Sequence, residues 1–330
     1  MSSIRRKLLA WYDEVARDLP WRETRDPYAI WVSEVMLQQT RVETVIPYYE
    51  RFLKRFPTTS ALAKADEDAV LSQWSGLGYY RRARLLHAGV REVVAQYGGQ
   101  VPEEAEARQA LPGVGRYTAG AIGSIAFDKE EPVVDGNVTR VLARLFRIDT
   151  PVGASVTSKR LWDEAARLVP GERPGAFNQA LMELGATVCT PKQARCDACP
   201  VAAECEARAN EEVDVLPIPR ARKAPSPVKL AAVVATRGRG AGRRVWLLKG
   251  DRALFGGLWG VPMVEGSARD VLRDAGLSAQ IESGPISEVE HVLSHRRLQV
   301  EVFRATAARG EETETKRRFS AEEIERVGVS

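Results

Sequence analysis

The feature that most constrains the fold is a compact group of four cysteines, Cys189, Cys196, Cys199 and Cys205. The chain has no others, and successive members are separated by six, two and five residues. Disulfides of a secreted scaffold are spread along the chain, so this spacing predicts a metal site instead. Four thiolates in one loop suit either a tetrahedral zinc ion or a cubane iron-sulfur cluster. The first gap is longer than is usual between zinc ligands, which favours iron-sulfur. Four buried free thiols are the alternative.

Composition indicates a folded, water-soluble chain. Of the 330 residues, 44% are hydrophobic and 28% are charged, which is enough apolar material for roughly two domains. The net charge of +4 permits an anionic partner without demonstrating one. No apolar run is long enough to span a membrane, and the amphipathic start of the chain is unlike a signal peptide. We therefore expect an intracellular protein with no membrane partner.

The chain reads as two domains of different class. Residues 1–208 have apolar positions at helical spacing and helix-ending signals such as Asp26-Pro27 and Gly98-Gly99, which predicts an all-α domain containing the cysteine loop 189–205. Residues 209–227 form a proline-rich basic linker. Residues 228–330 contain β-branched runs and one predicted helix closed by Gly276, which predicts an α+β domain. Basic residues are concentrated between Pro217 and Arg252, where they form either a solvated surface or a phosphate-facing one.

A short glycine motif predicts an anion site in the helical domain. The segment Leu111-Pro-Gly-Val-Gly115 lies between two helix-forming stretches. Gly113 and Gly115 allow the amides at the start of the second helix to face one anion, for which a phosphate is the natural candidate. An ordinary turn between two helices is the alternative.

Two carboxylates stand out as candidate catalytic groups. Glu34 lies in the middle of an apolar helix with no basic residue within a turn, so burial should raise its pKa and make it a candidate general acid. A buried glutamate satisfied by hydrogen bonds or a distant arginine is the alternative. Asp135 precedes another helix, where it is either an N-cap or the ionised partner of Glu34. One protonated and one ionised carboxyl group can cleave a glycosidic bond through an oxocarbenium-like transition state.

Taken together, these features resemble the MutY family of adenine DNA glycosylases, in the helix-hairpin-helix, endonuclease III-like superfamily. The resemblance covers nearly the whole chain. The matching segments are Trp21-Arg22, Ser33-Glu-Val-Met-Leu-Gln-Gln-Thr40, Gly76-Leu-Gly-Tyr-Tyr80, Leu111-Pro-Gly-Val-Gly-Arg-Tyr-Thr-Ala-Gly120, Val134-Asp-Gly-Asn137 and Phe177-Asn-Gln-Ala180. The family implies a 4Fe-4S cluster in the cysteine loop. It also implies removal of adenine opposite 8-oxoguanine or guanine in double-stranded DNA, by a monomer associated with the nucleoid in the cytoplasm.

The resemblance also implies roles for individual residues. Glu34 would protonate the adenine leaving group, Asp135 would stabilise the sugar cation, and Asn137 would orient Asp135. Tyr117 occupies the position where related bifunctional enzymes carry a Schiff-base lysine, so strand cleavage should be absent or weak. Gln179 would contact the flipped adenine. The remaining DNA contacts implied or expected in this domain are Arg22, Gln39, Tyr79, Gly113, Gly115, Lys192 and Arg195. For Tyr79, simple core packing is the alternative.

The C-terminal domain resembles the MutT-like (nudix-fold) domain of the same family, which reads the 8-oxoguanine. Ser294 and His295 lie in the matching loop, although Ser-His is also common as a strand-end cap. Arg273 stands where a MutT-type hydrolase needs a magnesium-binding carboxylate, so we expect recognition without phosphohydrolase activity.

Two other functions compete with this interpretation. One is a pyrimidine-lesion glycosylase and lyase of the endonuclease III kind, against which Tyr117 and the second domain both argue. The other is a non-catalytic DNA-binding protein that keeps the cluster and hairpin as a clamp. The intact pair of Glu34 and Asp135 argues against that possibility.

Overall fold

The structure is a computed structural model that describes residues 2–220, 226–250, 257–292, 296–325, 327 and 329. It divides into two compact units, residues 1–64 with 85–221 and residues 65–84 with 222–330. Ser294 and His295, residues 221–225 of the predicted linker, and the basic Arg252 lie outside the described residues. In the described part of the chain, none of the helices has the length and apolar character needed to cross a membrane.

The first unit is helical, as the sequence predicts for residues 1–208. Its helices, together with α5 of the second unit, are α1 (Ser2–Val15), α2 (Pro27–Leu37), α3 (Val42–Arg55), α4 (Thr59–Ala63), α5 (Glu67–Trp74), α6 (Arg81–Tyr97), α7 (Ala105–Ala110), α8 (Arg116–Phe127), α9 (Gly136–Leu145), α10 (Ser155–Leu168), α11 (Pro174–Thr187) and α12 (Glu206–Ala209). The predicted signals lie at helix boundaries, as expected. Asp26 caps the start of α2 by accepting from the Tyr28 and Ala29 amides, and Gly98 and Gly99 follow the end of α6 with positive φ.

One hydrophobic core of this unit lies among α1, α8, α9, α10 and α11. Its buried members include Leu8, Leu142, Leu161 and Phe177. The cysteines Cys189, Cys199 and Cys205 pack against the same core, together with Tyr117. Helices α8, α9 and α11 therefore share this core with the cysteine loop.

The second unit contains a mixed sheet, which confirms the predicted α+β class. Its strands are β1 (Ser226–Arg237), β2 (Arg244–Lys249), β3 (Trp259–Gly260), β4 (Met263–Val264), β5 (Ser278–Ile281), β6 (Ser287–Val292), β7 (Arg296–Arg309) and β8 (Lys316–Phe319), with helices α13 (Ala268–Asp274) and α14 (Ala321–Ile324). The strand order is β3-β2-β1-β7-β5, with β4 beside β1, β6 beside β7 and β8 beside β2. Strands β1 and β7 are parallel, and β6 and β7 are antiparallel.

The sequence division assigns residues 65–84 to the helical domain, whereas the structure groups them with the second unit. Lys249 on β2 forms an ion pair with Asp68 on α5, with 2.9 Å between Nζ and Oδ1. The sequence gives no sign of this grouping, because contacts between segments far apart in the chain leave no local pattern.

Helix α13 carries Arg273, at the position where the sequence analysis expects a hydrolase to need a carboxylate. Ser267 and Asp270 form a capping box at its start, and Arg273 donates to the same Asp270 carboxylate at 2.5 Å. A carboxylate that already accepts hydrogen bonds from the helix cap and from an arginine is poorly suited to bind magnesium as a ligand. The helix ends before Gly276, which has a φ of +59°, as the sequence predicts.

Candidate active site

A cleft in the helical unit brings the candidate catalytic residues together. It has a volume of about 410 Å³ and lies between α2 on one side and α8, α9 and α11 on the other. Glu34, Tyr117, Asp135, Asn137 and Gln179 all line it, from four different helices or helix caps. The sequence separations between these groups are large, so their convergence is a property of the fold.

Glu34 is buried, and its pKa is raised toward the neutral range. Glu34 is 4% exposed, and the Tyr117 hydroxyl donates a hydrogen bond to its Oε2, with 2.5 Å between the two oxygens. Burial raises the pKa of Glu34 to about 7; the bond from Tyr117 opposes the rise, the Asp135 charge adds to it and the Arg22 charge opposes it. The predicted buried glutamate with a raised pKa is confirmed, and its hydrogen bond to Tyr117 was not foreseen.

Asp135 serves as a helix cap and as a site carboxylate at once. Its Oδ1 accepts from the Val138 amide at 2.7 Å at the start of α9, and its Oδ2 accepts from Asn137 Nδ2 at 3.0 Å. Burial raises the pKa of Asp135, while these hydrogen bonds and the Arg140 charge oppose the rise. The prediction that Asp135 is an N-cap is thus confirmed. The alternative role as the ionised partner of Glu34 is not excluded, because the capped carboxylate also lines the cleft.

Two glycines allow Asp135 to reach the cleft. A Cβ on Gly120 of α8 would collide with the carbonyl oxygen of Pro132, in the extended segment that leads to Asp135. A Cβ on Gly185 of α11 would lie 2.6 Å from the Cβ of Asn137. Both positions require glycine because backbone or a neighbouring side chain occupies that space.

Arg140 links this carboxylate to the cysteine loop, a connection that the sequence analysis missed. Its Nη2 donates to Asn137 Oδ1 at 2.9 Å, and its Nε donates to the Cys189 carbonyl oxygen at 2.6 Å. Arg140 lies one turn into α9, where an arginine on an amphipathic helix is ordinary surface chemistry. No local signal distinguishes it.

A buried ion-pair network forms another part of the cleft wall. Glu183 is 1% exposed and accepts from Arg17 Nε and from Arg22 Nη2, each at 2.7 Å. Burial alone would raise the pKa of Glu183, but the two arginines lower it overall. Arg22, expected from the sequence to contact DNA, is thus bound to Glu183 within the cleft. Arg17 and Glu183 were missed, although a lone acid within the apolar α11 was a usable signal.

The structure places the remaining predicted DNA contacts at exposed turns. Gln39 follows α2 with a φ of +59° and lies at the cleft, whereas Tyr79 belongs to residues 65–84 of the second unit. Tyr79 is 53% exposed with a φ of +49°, so it is not packed in a core. Gly113 has a φ of +78°, and Gly115 caps α8 with open space beside it. The predicted hairpin of α7, residues 111–115 and α8 is present, with its glycine loop facing solvent.

The four cysteine side chains line one small cavity, together with the buried Arg144. Arg144 Nη1 donates to Cys189 Sγ at 3.2 Å. Burial raises the pKa of Cys199 to about 11 and also raises that of Cys205, with the neighbouring thiols adding to both. A metal centre binds thiolates and removes this cost, so the donor set fits one. Within the described residues no three potential ligands form a ready single-ion site.

Lys192 and Arg195 lie in the same loop and are exposed. Arg195 Nη2 donates to the Thr187 carbonyl oxygen at 2.6 Å, which ties the loop to the end of α11. The loop is also tied to α1, because Lys7 Nζ lies 2.6 Å from Glu204 Oε1. The two basic side chains that the sequence proposes for phosphate contact therefore stand on a braced loop.

The chain is similar in sequence to known proteins. Residues 32–167 match the family described as HhH-GPD superfamily base excision DNA repair protein. The adenine DNA glycosylase of Homo sapiens is 39% identical over 364 residues, covering 92% of this chain and 67% of the human protein. That of Rattus norvegicus is 55% identical over 216 residues, covering 63% of this chain and 42% of the rat protein. The chain thus spans only part of these curated relatives.

Solved structures agree on the helical fold. A thermostable thymine-DNA glycosylase superposes with a TM-score of 0.56 and 31% identity, covering 62% of this chain and 95% of that one. A trapped endonuclease III–DNA covalent intermediate superposes with a TM-score of 0.54 and 21% identity, covering 63% and 95%. From its motifs, its fold and these relatives, the chain belongs to the adenine DNA glycosylase (MutY) family of helix-hairpin-helix base excision repair proteins.

Proposed function

We propose that the protein removes adenine mispaired with 8-oxoguanine or guanine from double-stranded DNA and leaves an abasic site. The observation that carries the proposal is the buried Glu34, whose pKa burial raises to about 7 and which shares a cleft of about 410 Å³ with Asp135. A base must leave the helical stack before chemistry at its glycosidic bond, and such a cleft is suited to receive it. The names of the human and rat relatives support adenine as the base.

The first chemical step is proton donation by Glu34. With a pKa of about 7, the carboxyl group carries its proton in a large fraction of molecules at neutral pH. Protonating the departing adenine weakens the glycosidic bond, because the base then leaves as a neutral molecule. The Tyr117 hydroxyl bound to Oε2 holds the carboxyl group in one orientation during this step.

The second step places positive charge on the sugar, next to Asp135. The helix-capping bonds fix the Asp135 carboxylate before the reaction, so it stabilises the cation without reorganising. Water then attacks the sugar while Glu34, now ionised, accepts a proton. The electrons of the broken bond leave with the adenine, and the products are the free base and an abasic site.

Tyr117 separates this activity from that of a lyase. A phenol cannot form a Schiff base with the opened sugar, and here its hydroxyl is already bound to Glu34. We therefore propose that strand cleavage is absent or weak, in contrast to a pyrimidine-lesion glycosylase and lyase. The exposed glycine loop of the hairpin, with Lys192 and Arg195, would contact the phosphates.

We further propose that the four cysteines hold a 4Fe-4S cluster. The four cysteines line a cavity, and a cluster of four iron atoms would use one thiolate per iron, unlike a single metal ion that all four thiolates would have to reach. When bound, the cluster would supply a rigid core for the loop that carries Lys192 and Arg195. The catalytic steps above use this chain's own side chains only.

The C-terminal unit would read the lesion, and the whole protein would act as a monomer. Strands β6 and β7 are an antiparallel pair, and Ser294 and His295 lie between them in the sequence. Their hydrogen-bonding groups are suited to a modified base edge. We propose that the protein acts on chromosomal DNA in the cytoplasm, at the nucleoid.

Replacing Glu34 by glutamine should abolish adenine excision and leave duplex affinity within about tenfold, because the proton donor is lost and phosphate contacts remain. Single-turnover rates and binding to an adenine–8-oxoguanine duplex measure the two effects. Glu50→Gln, an exposed change on α3, is the matched control and should retain wild-type activity. Excision by Glu34→Gln at near wild-type rate would refute the assignment.

Purified protein should be yellow-brown, with an absorbance band at about 400 nm typical of iron-sulfur clusters. Cys199→Ala should lose the colour and weaken DNA binding, because the loop that carries Lys192 and Arg195 loses its support. Asp197→Ala, an exposed change in the same loop, should keep both properties. Colourless protein with stoichiometric zinc would exclude the cluster.

Ser294→Ala combined with His295→Ala should lower the preference for 8-oxoguanine over guanine by about tenfold or more, the usual effect of losing hydrogen bonds to a base edge. The rate of adenine excision from duplex that is already bound should be nearly unchanged, since Glu34 and Asp135 lie in the other unit. Competition between the two duplexes measures the preference, with Ser287→Ala as control. An unchanged preference in the double variant would rule out this loop as the reader.

A further inference from the structure

A hydrogen bond from α1 reaches a residue of α11 that lines the cleft, and the mechanism above does not use it. The Tyr12 hydroxyl donates to Gln179 Oε1, with 3.3 Å between the oxygens. Tyr12 is 7% exposed, and burial raises the pKa of its phenol, so the hydroxyl remains a proton donor throughout the neutral range. Gln179 is half-buried and lines the cleft.

The orientation of the Gln179 amide decides which base it can recognise. A primary amide has an acceptor oxygen and a donor nitrogen, and turning it over exchanges the two. Glutamine recognises adenine by accepting from the amino group at N6 and donating to N7. The turned-over amide would mismatch both of these adenine groups, whereas a base with acceptors at both O6 and N7 gives one match and one mismatch in either orientation. Discrimination therefore requires that the amide be held in one orientation.

Tyr12 supplies this constraint. While Oε1 faces the Tyr12 hydroxyl, the phenol proton has an acceptor, and Oε1 keeps a second lone pair for a ligand. A turned-over amide would present N–H groups to a buried hydroxyl and leave the phenol proton without an acceptor, which is costly in a buried position.

Neighbouring groups hold the tyrosine itself in place. The Arg22 guanidinium lies over the Tyr12 ring, 5.3 Å from its centre, and Arg22 is in turn bound to the buried Glu183. Glu183 and Gln179 lie one turn apart on α11, so the chain of contacts begins and ends on the same helix. The ring has little freedom to follow a rotating amide.

We propose that Tyr12 is a positioning residue that sets base specificity, by holding the amide of Gln179 in the orientation that recognises adenine. The inference rests on the proposed function, since it concerns the base in the same cleft. Tyr12 acts through Gln179 and takes no part in proton transfer. It lies on α1, 167 positions before the residue that it orients.

The test is Tyr12→Phe, which removes the hydroxyl and keeps the ring beneath Arg22. Single-turnover excision of adenine opposite 8-oxoguanine should fall about tenfold, an effect typical of one buried hydrogen bond. Excision of hypoxanthine, which has acceptors at both O6 and N7, should be nearly unchanged because either orientation of the amide gives it one match and one mismatch. The selectivity for adenine should thus fall by about the same factor.

Tyr28→Phe is the matched control. The Tyr28 hydroxyl is also buried and donates to the Phe56 carbonyl oxygen at 2.9 Å, but Tyr28 does not line the cleft. This variant should be less stable to urea and should keep wild-type selectivity. A purely structural role for Tyr12 would slow excision of both bases equally, which would overturn the inference.

A double-mutant cycle with Gln179→Ala tests the route of action. In the Gln179→Ala background, Tyr12→Phe should change the adenine rate by no more than about twofold, because there is no amide left to orient. An undiminished effect would contradict the inference and assign Tyr12 another role. Wild-type protein that excises no adenine would instead refute the proposed function. Active wild type with unchanged Tyr12→Phe selectivity would refute this inference alone.

Discussion

The burial of one carboxyl group, that of Glu34, is the constraint on which the rest of the site depends. Burying an isolated, ionised carboxylate in an apolar helix costs free energy, so burial raises the pKa of Glu34 to about 7. The Tyr117 hydroxyl limits this rise, because it donates to the same carboxyl group. With such a pKa, a large fraction of the molecules carries the proton at neutral pH, and the group is still acidic enough to donate it. The proposed reaction needs both properties.

The surrounding fold fixes the groups that must work with this acid. Gly120 and Gly185 allow close approach of the segments that deliver Asp135 and Asn137. Arg140 then connects Asn137 to the backbone of Cys189, so the cysteine loop and the carboxylate are parts of one hydrogen-bonded assembly. On the proposed mechanism, this rigidity lets Asp135 meet a developing positive charge without first moving.

The sequence predicted what is local and missed what is long-range. The capped start of α2, the buried Glu34, the glycine hairpin and the α+β second unit each follow from patterns within a few residues. The pairing of Glu183 with Arg17 and the hydrogen bond between Tyr12 and Gln179 join residues more than 160 positions apart. Such pairs leave no periodic pattern, and each partner alone reads as an ordinary helix residue. The grouping of residues 65–84 with the second unit was missed for the same reason.

Direct titration of Glu34 tests the central claim most closely. In protein labelled with carbon-13 at the glutamate carboxyl groups, the resonance that is absent from Glu34→Gln belongs to Glu34. The account predicts that this resonance titrates with a pKa of about 7 in the free protein. A pKa near the ordinary glutamate value, about 4.3, would mean that Glu34 is ionised at neutral pH and is not the proton donor.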